Sequence, residues 1–250
     1  MYYDKNLNIK GNVQRFDADV LECGSYAYTQ EHLSARTANA RISLSVAQAY
    51  DFTGKSVLDL GCGDGAYTVE FAALGVRNIV GVDPAAVAIE AGTNRAQSLG
   101  LDKIVSFEVG NIYEPQTYLT GRHFDCIVLR GILHHLPDPA RAIAALAAFE
   151  GTVIVIEPNG NNPVLKLIER FSHYHIEHEE RSFSPSLIGK WLESADFRVD
   201  QCAMINLVPF FCPDWMVLPL RTAETAVERL PLVRDIACGQ SVIVAHSRKG

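Results

Sequence analysis

Several kinds of signal are missing from this sequence. Its six cysteines, Cys23, Cys62, Cys126, Cys202, Cys212 and Cys238, form no CxxC pair. A disulfide framework or a zinc ribbon therefore has no basis in the spacing, and the thiols read as small buried hydrophobes. No apolar run approaches the roughly 20 residues that a membrane-spanning helix needs. The most apolar stretch, residues 207–220, carries Asp214 and is broken by three prolines. Met1-Tyr2-Tyr3-Asp4-Lys5 is not a basic-then-apolar leader, and there is no fixed-period repeat, low-complexity tract or Pro/Gly/Ser-rich linker. Basic residues are outnumbered, 22 Lys and Arg against 29 Asp and Glu, for a net charge of -7. An acidic surface repels phosphate backbones at long range, so nucleic acid is not expected as a partner. The expectation is a soluble cytoplasmic protein with no stable membrane insertion.

What is present is alternation. A chain of 250 residues with 48% hydrophobic content can bury one large core. The spacing predicts a helix from Gln30 to Tyr50, capped by Thr29, with Leu33, Ala40, Leu44 and Ala47 on one face. A strand at Ser56–Leu60 runs into Gly61-Cys62-Gly63-Asp64-Gly65, followed by a helix from Ala66 to Leu74 that stops at Gly75. A second strand, Ile79–Val82, precedes a helix opened by Asp83-Pro84, with Pro84 at its first position, and closed near Leu99 and Gly100. Strands follow at Ile104–Val109, Phe124–Leu129, Thr152–Ile156, Phe197–Leu207 and Ser241–Ala245, with helices at Pro139–Phe149 and Ser184–Ala195. This order implies an α/β fold with a mainly parallel sheet and helices on both faces. Ligands of such sheets bind beyond the carboxyl ends of the strands, so the loops after Leu60, Val82, Val109, Leu129 and Ile156 are expected to line one crevice.

One domain over residues 1–250 is expected: a helical cap over 1–50, a cofactor-binding core over 51–158, and inserts at 159–183 and 207–239 forming an acceptor lid. Glycines between a strand and a helix let the backbone approach a ligand, and the helix start is expected to offer free N–H groups and the positive dipole end. Asp83, closing the next strand, can accept both hydroxyls of a ribose, so an adenosine-containing ligand is implied. Ala66 is tolerated where a nicotinamide-dinucleotide loop places its third glycine, so that ligand remains open. The carboxylates of Asp59 and Asp64 oppose a pyrophosphate unless they are paired, whereas a sulfonium carrying an amino group suits them. Asp64 has a further reading as a helix cap.

Val57-Leu58-Asp59-Leu60-Gly61-Cys62-Gly63-Asp64-Gly65 closely resembles the first motif of class I S-adenosylmethionine-dependent methyltransferases. Val82-Asp83-Pro84 resembles their ribose-binding acid. Phe124–Val128 with Leu133-His134-His135-Leu136-Pro137-Asp138-Pro139 resembles the corresponding strand and loop of the small-molecule branch. The resemblance covers about Lys55 to Glu157. It implies a Rossmann-like methyltransferase fold of about seven strands with the last pair antiparallel, and S-adenosylmethionine as methyl donor, leaving S-adenosylhomocysteine. It places Asp59, Gly61, Cys62, Gly63, Asp83, Pro84, Asn111, Ile112 and Arg130 on the cofactor side, with Tyr28, beside Tyr26, closing over the donor. Asn111 stands where the family often has Asp; its carbonyl can accept from an adenine amine, and it is also an ordinary turn residue.

Methyl transfer to a hydroxyl needs alignment and a base, and imidazole has a suitable pKa. His134, His135 and Glu157 are the catalytic candidates, with only one histidine expected to face the acceptor because adjacent residues rarely share a direction. Glu157 reads as base, orienter or loop brace. His173, His175 and His178, with Glu177 and Glu179, match no closed ligand spacing, so no metal is expected. Phe210, Phe211, Trp215, Met216, Leu218 and Leu220 could line an apolar acceptor pocket, cover the sheet edge, or form a homodimer or membrane-surface patch. The reading is methyl transfer to a small-molecule acceptor, at a hydroxyl of a natural product, sugar or lipid-linked compound. N- or C-methylation, an NAD-dependent oxidoreductase and a non-catalytic binding module are its rivals.

Overall fold

A computed structural model describes residues 32–171 and 181–249. Cys23, Tyr26, Tyr28 and Thr29 lie outside the described residues, as do His173, His175, Glu177, His178 and Glu179. In chain order the elements are α1 (Leu33–Ala49), β1 (Ser56–Leu60), a 3-10 helix (Thr68–Leu74), β2 (Asn78–Asp83), α2 (Ala86–Ser98) and β3 (Val105–Val109). Next come α3 (Gln116–Leu119), β4 (Cys126–Arg130), a 3-10 turn (Leu133–His135), α4 (Pro139–Ala144), β5 (Thr152–Pro158) and α5 (Pro163–Phe171). The chain closes with α6 (Pro185–Ser194), β6 (Phe197–Ile205), α7 (Asp214–Glu228), α8 (Pro231–Ala237) and β7 (Gln240–Ser247).

The strands form one seven-stranded sheet in the order β3-β2-β1-β4-β5-β7-β6. Every pairing from β3 to β5 is parallel, and β7 runs antiparallel to both β5 and β6. The order reverses at β1, between β2 and β4, and such a switch point leaves a crevice at the carboxyl end. Residues of one strand point alternately to the two faces. Leu58, Leu60, Ile127, Leu129, Val153 and Val155 pack with α4 and α6 on one face. Val57, Val128, Ile154 and Ile156 pack with Ile42 and Val46 of α1 and with Phe71 on the other. The β-branched run of β5 is buried throughout, as expected of a strand covered on both sides.

The caps follow local chemistry. Asp138 accepts the Arg141 N–H at 3.2 Å ahead of Pro139, and Ser184 accepts the Leu187 N–H at 3.3 Å ahead of Pro185. Three local expectations are corrected. In α1 the inward face is Ala35, Ala38, Ile42 and Val46, while Leu33 and Leu44 are 49% and 51% exposed, because Ile42 and Val46 are the residues that pack on the sheet. Pro84 lies before α2 rather than at its first position: Asp83 Oδ1 takes the Ala85 N–H at 2.9 Å, and that tight turn holds Pro84 outside. The segment after the glycine loop is a 3-10 helix from Thr68, since residues 61–67 are spent in turning.

Candidate active site

Strand alternation sorts the site residues. Asp59 on β1 and Arg130 on β4 emerge on the α1 face, while Glu157 on β5 emerges on the opposite one. Asp59 is buried and accepts a hydrogen bond from Thr68 Oγ1 at 2.7 Å. Burial pushes its carboxyl up to about 6, opposed by the Thr68 hydroxyl and the Arg130 guanidinium. Arg130 stacks over the Tyr67 ring, 3.6 Å from its centroid, and donates to Ser43 Oγ at 3.1 Å. This fixes one cation and one anion on the same wall.

Between them runs the glycine loop. Gly61 has φ of 80°, and a Cβ there would come within 2.5 Å of Ile132 Cγ1, so both the conformation and the close approach of the β4 loop require glycine. The loop's amides are directed inward. Gly61 and Cys62 N–H both reach Val82 O, Gly65 N–H reaches Cys62 O, Ala66 N–H reaches Asp64 Oδ1, and Gly63 N–H reaches Asp83 Oδ2 at 3.0 Å. Five amides of the loop, those of Gly61, Cys62, Gly63, Gly65 and Ala66, are thus spent on holding its own shape. Asp64 sends its second oxygen to Arg95 at 3.3 Å, so it is paired. Asp83 supports the loop through one oxygen and the entry to α2 through the other. The Asp59 carboxyl and the Gly61–Cys62 backbone line the cavity, and this set of acceptors fits a cationic sulfonium with an amino group.

On the other side, Glu157 is fully buried. Its Oε1 accepts the N–H groups of Ile132 (2.8 Å) and Leu133 (2.6 Å), and its Oε2 meets His134 Nδ1 at 2.7 Å. A carboxylate can only accept, so Nδ1 carries the proton and Nε2 is the basic nitrogen. Glu157 is thus a brace for the 3-10 turn and an orienter of the imidazole, with its lone pairs committed. The His134 and His135 rings lie 3.9 Å apart, tilted by 41°, and both line the same cavity. The tight turn of Leu133–His135 brings the two neighbouring side chains side by side on this wall.

That cavity measures about 430 Å³. Asp59, Gly61, Cys62, Arg130, His134 and His135 line it, as expected. Burial pushes the Cys62 thiol well up, so it stays neutral. Gly63, Asp83, Pro84, Asn111 and Ile112 are not among the residues that line it. Asp83 is turned beneath the loop. Asn111 Oδ1 accepts the Tyr113 N–H at 3.0 Å in a turn, and Ile112 is packed in the core. Asn39 of α1, Tyr67, Leu165 and Glu169 of α5, Ser182 and Gln240 also line it and carried no sequence signal. Of the second insert's aromatics, Phe210 and Phe211 reach the cavity, whereas Trp215 is 76% exposed. Among the described residues, no cluster of His, Cys, Asp or Glu could hold a metal ion, and no helix is long and apolar enough to cross a membrane.

A doubly wound sheet whose switch-point loop turns its amides inward, with acid and imidazole on facing walls, defines a nucleotide-type cosubstrate site of the Rossmann-like class. A family model described as a methyltransferase domain matches residues 30–202. The chain belongs to this methyltransferase-domain family. The ubiquinone biosynthesis O-methyltransferase of Hahella chejuensis is 33% identical over 167 residues, covering 60% of this chain and 65% of that protein. The tRNA U34 carboxymethyltransferase of Dichelobacter nodosus is 30% identical over 160 residues, covering 62% of this chain; the chain spans about half, 49%, of that relative. Two solved structures share the fold. The 4+2 cyclase SpnF gives a TM-score of 0.67 at 17% identity, over 97% of this chain and 95% of that one. A geranyl diphosphate methyltransferase in complex with SAM gives 0.59 at 19%, over 87% and 91%.

Proposed function

We propose that this enzyme methylates a hydroxyl oxygen of a small, mostly apolar molecule. The observation that carries the reading is the Glu157–His134 pair on the wall of the cavity that Asp59 and Gly61 also line. When bound, the donor supplies an electrophilic methyl group. Asp59 and the Gly61–Cys62 backbone hold its amino-acid end, Arg130 lies beside them, and Asp83 fixes the loop from below. His134 Nε2 takes the acceptor proton while Glu157 holds Nδ1–H, a division of labour that keeps the tautomer correct and stabilises the imidazolium. Ile42, Leu165, Phe210 and Phe211 supply apolar contact and exclude water. The ubiquinone relative's printed O-methylating role agrees with this chemistry. A net charge of -7 disfavours a tRNA acceptor.

The test supplies methyl-labelled donor with a panel of hydroxylated small molecules and, separately, with tRNA, and locates the label by mass spectrometry. Label on an ether oxygen, lost in His134→Ala, is expected. Label confined to nitrogen, carbon or tRNA overturns the reading.

A further inference from the structure

We propose that Ser182 is a specificity-determining residue that hydrogen-bonds a second oxygen of the acceptor, distinct from the one methylated. This deepens the hydroxyl-methylating reading above and rests on it. Ser182 lines the cavity and is buried to more than nine-tenths. Its Oγ is buried without a hydrogen-bond partner among the described residues. Buried hydroxyls are nearly always satisfied, and one left unmade carries a desolvation cost that a ligand's polar group can recover.

The rest of the residue is anchored. Its N–H donates to Glu169 Oε1 at 2.9 Å, its carbonyl accepts from Lys166 Nζ at 2.6 Å, and Lys166 and Glu169 pair with each other at 3.0 Å. The carboxylate of Glu169, although it lines the cavity, is therefore committed to holding Ser182. The preceding residue is tied to the base itself: Arg181 N–H donates to the carbonyl of His134 at 3.3 Å. On the far side, Gly160 N–H reaches Phe183 O at 3.0 Å, and a Cβ on Gly160 would come within 2.4 Å of the Phe183 carbonyl carbon. The backbone at Ser182 is thus fixed relative to His134, and one torsion, χ1, remains to aim the hydroxyl. A fixed backbone with a single aimable donor-acceptor beside the base reads out a substituent at a set distance from the reacting oxygen. Only an acceptor with a second oxygen uses it.

The experiment uses phenol and the three benzenediols, with their 1,2, 1,3 and 1,4 spacings, as probes of the full chain. Binding in the presence of S-adenosylhomocysteine and methylation with labelled donor are both measured. In the unchanged enzyme, at least one diol should outperform phenol in KM. Ser182→Ala should raise that diol's KM about three- to tenfold, the loss expected of one neutral hydrogen bond. Its kcat, phenol's KM and the donor Kd should stay unchanged, and Ser182→Thr should restore the preference. If diols and phenol are methylated with His134 dependence but their KM ratio is the same in Ser182→Ala, the inference fails and the reading of the site stands. If no probe binds or is methylated, the hydroxyl-methylating reading fails and the role of Ser182 falls with it.

Discussion

The two walls of the cavity are built on different principles. The wall that we propose holds the donor comes from short runs at the ends of β1 and β4, and the β1 run is held by side-chain partners: Asp59 by Thr68, Asp64 by Ala66 and Arg95, Gly63 by Asp83. The wall that we propose holds the acceptor is assembled from distant segments, α1, α5, residue 182, the Phe210–Phe211 pair and Gln240. Helix α5 has no fully buried side chain and exposes Val164, Leu167 and Phe171. Its position comes from polar ties, such as Asn162 accepting from Val164 and donating to Ala237 O. Likewise α1 is held to α7 by Arg41, which meets both Glu224 and Glu228. The lesson is that a wall binding a constant ligand can be written locally, whereas a wall binding a variable one is hung on long-range contacts.

The sharpest break in that comparison is at His134, where the walls meet. His134→Ala should lower kcat by about 10²–10⁴-fold, the usual contribution of a positioned base, with donor affinity unchanged in a calorimetric titration. A loss of donor affinity instead would move His134 to the donor wall. Next in size is Asp83→Ala. It releases the Gly63 and Ala85 amides, and hydrogen bonds to a charged group contribute about 1.5–3 kcal/mol each, so donor Kd should rise by about ten- to a hundredfold. An unchanged Kd would show that the loop holds its shape without Asp83.

A third test uses pH. Asp59 titrates near 6 in the free protein, above its ordinary value, because burial disfavours its charge. Its contribution to folding stability is therefore present at low pH and is lost as pH rises through about 6. A bound cation reverses that preference. Donor affinity should fall by up to about tenfold per pH unit below about 6 and level off above it, and Asp59→Asn should flatten the profile. A profile unaltered in Asp59→Asn would assign the titration elsewhere. The smallest effect belongs to the outer rim. Trp215→Ala should change stability by no more than about 0.5 kcal/mol in thermal melts, since Trp215 is largely exposed, while leaving donor Kd unaltered.

Sequence legibility follows the same divide. Strand, glycine loop, strand and terminal acid are contiguous, so β1, β2 and the acidic loop could be read from residues 56–83 alone. The committed amides could not, because a motif identifies which residues turn and leaves open where their N–H groups point. In α1 the inward face went to Ala35, Ala38, Ile42 and Val46, since the partner surface decides the face when several spacings fit. The orienter and brace readings of Glu157 were open to the sequence, whereas the side-by-side histidines were not, as they depend on a turn that closes only against β5. Asn39, Glu169 and Ser182 are ordinary polar residues in their own segments and become wall residues only when the chain returns to the crevice.

The reversed direction of β7 has a further reach. Because it runs against β5 and β6, it begins at the crevice with Gln240, while β6 ends there with Ile205. The whole α7–α8 excursion is consequently a loop with both feet planted at the mouth, like a handle on a vessel. The handle is not free of the vessel: Arg41 of α1 grips Glu224 and Glu228 on it, and Asn162 reaches Ala237 O, so its shape bears on the helix that carries Asn39 and Ser43 to Arg130.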